Sequence, residues 1–180
     1  YIVKESPAVG NPDAGKVDEL KAKIYKPLDT FAQNKDKTTQ VDVNPYYILP
    51  RSFQQRLQKL MDEYAGGVSA QFTTSKPNLE RALQLLGVLH EDAENLGARD
   101  LHELMRCWEN VHRSYQAESH VRAMLFREET RWPGYYFRSD TPKMDNENWN
   151  VFVNGTWDAA TNEWSYKKVP INNAISAAAN

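Results

Sequence analysis

The longest periodic stretch of the chain is Asp100-Leu-His-Glu-Leu-Met-Arg-Cys-Trp-Glu-Asn-Val-His-Arg-Ser-Tyr115. Asp100 followed three residues later by Glu103 is typical of a capping box, so a helix is expected to begin here. The apolar residues behind it recur at helical spacing and predict one narrow stripe that faces the interior. The stripe consists of Leu101, Leu104, Met105, Trp108, Val111 and Tyr115. We expect this helix to continue to about Glu129, as the longest element of the fold.

The N-terminal part of the chain predicts a connection that leads into a first helix over 17–31. Asp13 is expected to cap this helix, and Pro27 predicts a kink or a break just before it. Residues 10–16 also fit the first seven positions of a phosphate-binding P-loop, but Val17 stands where magnesium binding requires Ser or Thr. Because Asp13 would repel phosphate as well, we interpret this segment as a helix entry.

Two further helices are predicted before the long one. The first of them covers 51–64 with apolar residues on one face, and Gly66-Gly67 follows as a left-handed stop. The second runs over about 78–96, with Ser75 or Asn78 as its cap. Together with the long helix, these elements predict a helical bundle.

The C-terminal part of the chain differs from the helical part in residue composition. Segments 149–157 and 163–169 are rich in aromatic and β-branched residues, and 158–162 separates them, which predicts a β-hairpin with a long turn. The predicted fold class is therefore mainly α: a helical bundle with one long helix, followed by an irregular loop rich in arginine and aromatic residues and by a C-terminal β-hairpin. We divide the chain into 1–44 (entering linker and first helix), 45–131 (helical bundle) and 132–180 (loop, β-hairpin and tail).

Composition excludes several classes of protein. Hydrophobic residues make up 41% of the 180 residues and charged residues 26%, which argues against a disordered tail. The formal net charge of −2 argues against nucleic-acid binding through bulk charge, and no apolar run is long enough for a membrane span. The one cysteine, Cys107, excludes an internal disulfide framework and indicates a reducing, cytoplasmic location.

Candidate chemical sites are weak throughout the chain. Glu109 and His112 form one Glu-x-x-His pair, whereas carboxylate-bridged metal sites need two. Cys107 directly precedes Trp108 within the apolar stripe, which favours an inert thiol. The remaining histidines are His90, His102 and His120. The residues alone therefore predict no metal site, no catalytic residue and no cofactor-binding residue in this segment.

The densest unusual stretch is 127–149, which combines three arginines with five aromatic residues. Arginine forked to carboxylate and stacked on aromatic rings is what a specific interface or an anion contact requires. Alternatively, Arg131 and Arg138 pair with neighbouring carboxylates and lock an irregular loop onto the bundle. The neighbouring carboxylates are Glu129, Asp140 and Asp145. Both interpretations stay open, and the interface or structural candidates are Arg131, Trp132, Tyr136, Arg138 and Trp149.

This stretch resembles the C-terminal signature of the succinate dehydrogenase/fumarate reductase flavoprotein family. The shared positions are Glu129-Thr-Arg131, Gly134, Arg138, Asp140, Pro142, Asp145 and Asn148-Trp149. Two departures are Trp132-Pro133, inserted before the glycine, and Tyr136, which stands where the family has a histidine. Four longer runs are similar to the α subunits of dissimilatory adenylylsulfate reductases, a branch of this family. These runs are 7–20, 60–67, 99–112 and 125–136.

The resemblance implies that the chain is one C-terminal helical domain of a longer flavoprotein. An upstream domain of that protein would bind FAD, a capping domain would lie beside it, and an iron–sulfur β subunit would carry 4Fe–4S clusters. The whole enzyme would interconvert adenylylsulfate with AMP and sulfite in the cytoplasm. The segment itself would be structural, contacting those domains or that subunit without catalysis. The alternatives are a succinate or fumarate flavoprotein segment and a free-standing, non-catalytic helical interaction module.

Overall fold

A computed structural model describes residues 11, 13–39, 44–132 and 136–171 of the chain. In chain order the elements are α1 (Ala14–Asn34), α2 (Pro50–Tyr64), β1 (Thr73–Thr74), α3 (Lys76–Ala93), α4 (Leu101–Phe126), β2 (Phe137–Arg138), α5 (Asn146–Trp149), β3 (Val151–Asp158) and β4 (Glu163–Pro170). The prediction of a mainly helical chain that ends in an antiparallel hairpin is confirmed. The predicted tail beyond 171 lies outside the described residues.

The core lies where α2, α3 and α4 pack against one another. Each helix contributes large apolar side chains at helical spacing, which is the pattern that predicted them. The most deeply buried of these side chains are Phe53, Leu57, Leu60, Leu79, Leu86, Leu89 and Val121. Full burial of one such side chain stabilises a fold by about 1.5–3 kcal/mol, so this cluster holds the bundle together.

α4 buries a face that overlaps the predicted stripe only in part, since Leu104 is buried and Trp108 and Val111 pack against the core. Leu101, Met105 and Tyr115 are 67%, 50% and 52% exposed, so this part of the prediction is wrong. The buried face of α4 contains the apolar Leu104, Val121 and Met124, the small Cys107, Ser114 and Ala117, and the polar Asn110. Small side chains allow α2 and α3 to approach α4 closely, and Asn110 Nδ2 donates to the carbonyl of Pro50 at 2.7 Å. The inner face of α4 thus combines apolar packing with a buried hydrogen bond to the first residue of α2.

α1 continues through Pro27, so the predicted break does not occur. Carbonyls near the proline find donors outside α1: Trp108 Nε1 donates to Ile24 O at 2.9 Å, and Ala98 N donates to Pro27 O at 2.9 Å. These bonds connect α1 to α4 and to the residues that precede α4. The predicted cap is confirmed, because the carboxylate of Asp13 accepts from the first backbone N–H groups of α1.

The turn after α2 leads to a contact that the sequence did not predict. Gly66 has a φ of +81°, the left-handed conformation expected of a helix stop. The chain then forms β1, which pairs in parallel with β2, placing Thr73 opposite Phe137 and Thr74 opposite Arg138. This short sheet fastens the arginine-rich stretch to the bundle.

The hairpin lies against the C-terminal half of α4. β3 and β4 pair in register from Val151 opposite Pro170 to Asp158 opposite Glu163. Tyr166 is half-buried, and its ring stacks on Phe126 with centroids 5.4 Å apart. The predicted strand began at 149, whereas β3 begins two residues later because Trp149 ends the short helix α5.

Candidate interaction site at the arginine loop

The chain that follows α4, here called the arginine loop (127–132 and 136–150), is organised around the buried carboxylate of Glu129. Its Oε1 accepts from Arg127 Nη1 and from Arg131 Nε, each at 2.6 Å, and its Oε2 accepts from Arg131 Nη2 at 2.9 Å. The backbone N–H of Asp145 adds a bond of 2.9 Å to Oε2. Two guanidinium groups thus share one fully buried carboxylate, which requires this degree of pairing to stay charged.

Arg138 occupies a second buried position, with 1% of its surface exposed. Its Nη1 donates to the carbonyls of Met124 at 2.6 Å and Arg127 at 3.1 Å, so the guanidinium caps the C-terminal end of α4. Its Nε and Nη2 form a forked pair with Asp140 at 2.8 and 2.6 Å. Asp140 also accepts from the backbone N–H of Lys76, the first residue of α3.

This Arg138–Asp140 pair complements two helix dipoles at once. A cation lies at the C-terminal end of α4 and an anion at the N-terminal end of α3, which is the favourable arrangement at both ends. The forked bond from Arg138 lowers the pKa of Asp140 to about 2. The pair therefore stays ionised through the neutral range and joins α3, α4 and the arginine loop.

The pKa of Glu129 is also held below its ordinary value. Burial by itself would raise this pKa, but the hydrogen bonds from Arg131, from the Asp145 N–H and from Arg127 outweigh it. In contrast, the Asp145 carboxylate pairs with neither arginine, because it accepts from the backbone and side chain of Asn148 and caps α5. The predicted pairing of Arg131 and Arg138 with carboxylates is thus confirmed for Glu129 and Asp140.

Trp149 anchors the hairpin to this cluster. Its ring is buried and packs edge-on against Phe126, with centroids 5.7 Å apart. Lys168 Nζ lies 3.5 Å from the centroid of the indole, and Arg127 donates to the carbonyls of Trp149 and Val151 at 2.9 and 2.8 Å. The start of β3 is therefore held by hydrogen bonds, ring packing and a cation–π contact.

The structure separates the five candidate residues into two groups. Arg131, Arg138 and Trp149 lie within the buried network, and half-buried Tyr136 packs against the core. Trp132 does not join them, because 72% of its surface is exposed and its φ is +68°. Arg127 and Glu129 belong to the network but were not among the candidates; their alternation of charge with Arg131 at two-residue spacing is the signal that could have identified them.

The groups that suggested other chemistry lie apart from this loop. His90 stacks on Tyr115 with centroids 4.4 Å apart, and burial raises the pKa of the Cys107 thiol to about 12, so it stays protonated. Within the part of the chain that the structure describes, no three His, Cys, Asp or Glu side chains are grouped closely enough to hold a metal ion. Asp13 occupies the P-loop-like turn as a helix cap, while Gly10 and Pro12 lie outside the described residues.

The described residues do not fit a flavin site. Dinucleotide sites use a parallel sheet whose glycine-rich turn opens a helix. Here the parallel pairing among the described strands consists of β1 and β2, two residues each, and the sequence has no Gly-x-Gly-x-x-Gly. One cysteine likewise does not fit a four-cysteine iron–sulfur cluster. Among the described helices, none has the length and apolar content needed to cross a bilayer.

Comparison with known proteins gives a family for this arrangement. Residues 54–179 match the family described as the fumarate reductase flavoprotein C-terminus. The adenylylsulfate reductase subunit alpha of Megalodesulfovibrio gigas is 44% identical over 153 residues, which is 85% of this chain and 23% of that protein.

Solved structures extend the comparison. A structure of adenylylsulfate reductase from Archaeoglobus fulgidus is 52% identical, with a TM-score of 0.89, over 97% of this chain and 27% of that chain. Mycobacterium smegmatis Sdh1 shares the fold, with 17% identity and a TM-score of 0.63 over 94% of this chain and 26% of its own. The chain thus spans about a quarter of the length of these relatives. The predicted resemblance is confirmed: the chain belongs to the fumarate reductase flavoprotein C-terminal family.

Proposed function

We propose that this chain is the C-terminal helical domain of the FAD-containing α subunit of a dissimilatory adenylylsulfate reductase. The observation that carries the proposal is the contrast between two relatives of one fold. Identity is 52% with a TM-score of 0.89 for the adenylylsulfate reductase, against 17% and 0.63 for Sdh1. Trp132 and Tyr136, the sites of the two departures from the family signature, support the same branch.

The role we assign to the chain is structural support of the remaining subunit. The buried pairs around Glu129 and Arg138 fix the arginine loop on the bundle, and Trp132 extends from that loop into solvent. A tryptophan with positive φ is a strained conformation, and strain of this kind is typical of contact and switch regions. Exposed tryptophan is also a common anchor of protein interfaces. We therefore assign Trp132 to a contact with a neighbouring domain or subunit.

In this proposal the chemistry takes place in other parts of the enzyme. Upstream domains bind FAD, and an iron–sulfur β subunit with 4Fe–4S clusters delivers electrons in a cytoplasmic heterodimer. The overall reaction takes adenylylsulfate and two electrons to AMP and sulfite, or runs in reverse. This chain supplies no catalytic, flavin-binding or metal-binding residue to that reaction.

The test uses the full-length polypeptide that carries this chain, produced together with its iron–sulfur partner. Visible absorbance reports bound flavin, and reduction of an artificial electron acceptor is measured with AMP plus sulfite or with succinate. The proposal predicts flavin absorbance and acceptor reduction that requires both AMP and sulfite. Acceptor reduction with succinate would identify the succinate or fumarate alternative.

A third outcome addresses the interaction module. A polypeptide that binds no flavin and reduces no acceptor under either condition would contradict the enzyme assignment and favour a non-catalytic helical module. A matched control omits AMP alone, because the same protein, flavin and sulfite are then present without the nucleotide. Persistence of the rate in that control would contradict the proposed substrate pair.

A further inference from the structure

A cleft with an aromatic lining lies at the opposite end of the hairpin from the arginine loop. It has a volume of about 400 Å³ and opens between the middle of α4 and the turn between β3 and β4. Its lining consists of Tyr115, Glu118, Trp157, Asn162 and Trp164. Trp157 and Trp164 lie directly opposite each other on the two strands, and about half of Tyr115 and of Trp157 is exposed. Three large aromatic side chains thus surround a space that the fold leaves open.

Each ring is held by a contact with another side chain. Tyr115 stacks on His90, with centroids 4.4 Å and planes 24° apart. Trp164 stacks on Tyr166, with centroids 6.1 Å and planes 13° apart. Trp157 Nε1 donates to Asn162 Oδ1 at 3.1 Å. These contacts restrict the orientation of the rings before any ligand arrives, which reduces the entropy lost on binding.

Glu118 adds an acceptor for a cation to the aromatic walls. Its side chain is 16% exposed, and Oε1 accepts from Arg122 Nε at 2.8 Å. Its Oε2 lies 3.7 Å from His90 Nδ1, which is beyond hydrogen-bond distance. Among the described residues, none donates a hydrogen bond to Oε2. While His90 is neutral, this oxygen of a carboxylate that lines the cleft therefore has room for a donor.

The end of the hairpin carries further negative charge. Asp158 and Glu163 are directly opposite each other in the ladder, an arrangement of like charges that destabilises a strand pair. In the described part of the chain neither carboxylate forms an ion pair. Because side chains alternate between faces, both carboxylates lie on the face away from Trp157 and Trp164 and act on the cleft through their field. Arg122, which pairs with Glu118, partly offsets the negative charge beside the cleft.

We propose that this cleft binds an organic cation, a guanidinium or alkylammonium group. Aromatic rings attract such cations through their quadrupole, and the attraction grows as water is excluded. Oε2 of Glu118 would accept a hydrogen bond from the bound group. The same chemistry is offered by an arginine or lysine side chain of another protein and by a free amine, so the test below distinguishes these two sources. Binding of such a cation can be tested without any measurement of enzyme activity.

The probe is Nα-acetyl-arginine amide, compared with the neutral Nα-acetyl-citrulline amide of nearly the same shape. Binding of each to the full-length polypeptide, produced without its partner, is followed by saturation-transfer NMR of the probe. We expect saturable binding of the arginine compound, with the citrulline compound at least about fivefold weaker, because only the first is a cation. Equal binding of the two, or no binding of either, would overturn the proposal.

Variants locate the binding. Trp157→Leu is expected to weaken the arginine compound by about 3- to 30-fold, the range of a cation–π contact from exposed to desolvated. Trp157→Phe keeps a ring and is expected to lose less. Phe152→Leu is the matched control, because Phe152 is an exposed aromatic of the same strand on the opposite face. Equal loss in Phe152→Leu and Trp157→Leu would place the probe elsewhere and contradict the proposal.

Adding the iron–sulfur partner to the binding assay distinguishes the two sources of the cation. When the iron–sulfur partner is present, loss of probe binding indicates that a basic side chain of the partner fills the cleft. Retained binding indicates a free amine. Only this comparison rests on the proposed function. The preference for the arginine compound over the citrulline compound tests the cleft independently of that function.

Discussion

The helical bundle and the arginine loop are held together by different forces. The bundle buries apolar side chains such as Phe53 and Leu86, which need only to be large and to recur at helical spacing. The arginine loop buries Glu129 and Arg138, each of which depends on particular partners at particular distances. Apolar packing tolerates exchange of similar residues, whereas a buried charge that loses its partner is strongly destabilising.

The largest effect is expected from a substitution that removes the buried contacts of the arginine loop. Arg138→Ala removes the forked pair with Asp140 and leaves the carbonyls of Met124 and Arg127 without their donor. We expect the free energy of local opening at the end of α4 to fall by about 3–5 kcal/mol. Hydrogen exchange in the full-length polypeptide measures this opening.

The matched control for this prediction is an exposed arginine, Arg113, which lies within α4. Arg113→Ala removes an exposed pair with Glu109 at 3.6 Å and is expected to change the same quantity by less than about 0.5 kcal/mol. Similar effects of the two substitutions would mean that burial of the guanidinium does not determine the loss of opening free energy. That result would contradict the proposed difference between buried Arg138 and exposed Arg113.

The second prediction addresses the bundle. Leu86→Ala is expected to lower the opening free energy of α3 by about 2–5 kcal/mol, since Leu86 is fully buried in the core. Leu86→Met keeps the volume and should lose less than about 1.5 kcal/mol. An arginine-to-lysine exchange at 138 keeps the charge but loses the forked geometry, so we expect it to be tolerated less well than Leu86→Met. Hydrogen-exchange rates in α3 and α4 compare the Leu86→Met and Arg138→Lys substitutions. An equal loss of opening free energy in the two variants would contradict the distinction between apolar packing and buried charge.

The third prediction uses pH to separate the two regions. Asp140 has its pKa lowered from 3.8 to about 2 in the folded state, so its contribution is complete above about pH 4 and is lost as the pH falls toward 2. Because its side chain is partly exposed, we expect a loss of about 1 kcal/mol, seen as faster exchange in the arginine loop with little change in the bundle. Asp140→Asn should reduce this pH dependence and leave the part that Glu129 supplies, since the pKa of Glu129 is lowered as well. An unchanged pH dependence in that variant would assign the whole effect to another carboxylate.

The fourth prediction has the smallest effect. The carboxylate of Asp100 accepts from the N–H of Glu103 at 2.8 Å and caps α4. Asp100→Ala is expected to lower the opening free energy of the first turn of α4 by about 1 kcal/mol, and Asp100→Asn by much less because it still accepts. Exchange rates of the first-turn amides check both. An effect that spreads to the arginine loop would show that the two ends of α4 are not independent.

The sequence predicted what local patterns determine. Helical spacing located α2 and the long α4, and the Asp13 and Asp100 caps follow from side chains that act within three residues. In contrast, the parallel pairing of Thr73 with Phe137 joins residues far apart in the chain, and no local signal records it. The inner face of α4 was predicted only in part, because Leu104 is buried as expected whereas Met105 is exposed and Ser114 is buried. The positions of the neighbouring helices decide which face is covered, and the spacing along α4 does not record them.

The arginine loop was predictable in kind but not in detail. The density of charge predicted ion pairs, and the pairs of Glu129 and Asp140 formed. That Arg138 would cap α4 could not be predicted, because the carbonyls it contacts become free only where α4 ends. Nor could composition separate exposed Trp132 from buried Trp149, since their positions depend on where the loop turns.

Trp132 tests the central claim most directly, namely that the arginine loop is fixed by buried pairs and contacts its neighbours through its exposed side. Trp132→Ala in the full-length polypeptide is compared with the unaltered protein for hydrogen exchange over the arginine loop, and for the proposed flavin content and affinity for the proposed iron–sulfur partner. The account predicts unchanged exchange, because this side chain is 72% exposed, and loss of flavin or at least about tenfold weaker association. Unchanged flavin content together with unchanged association would contradict it.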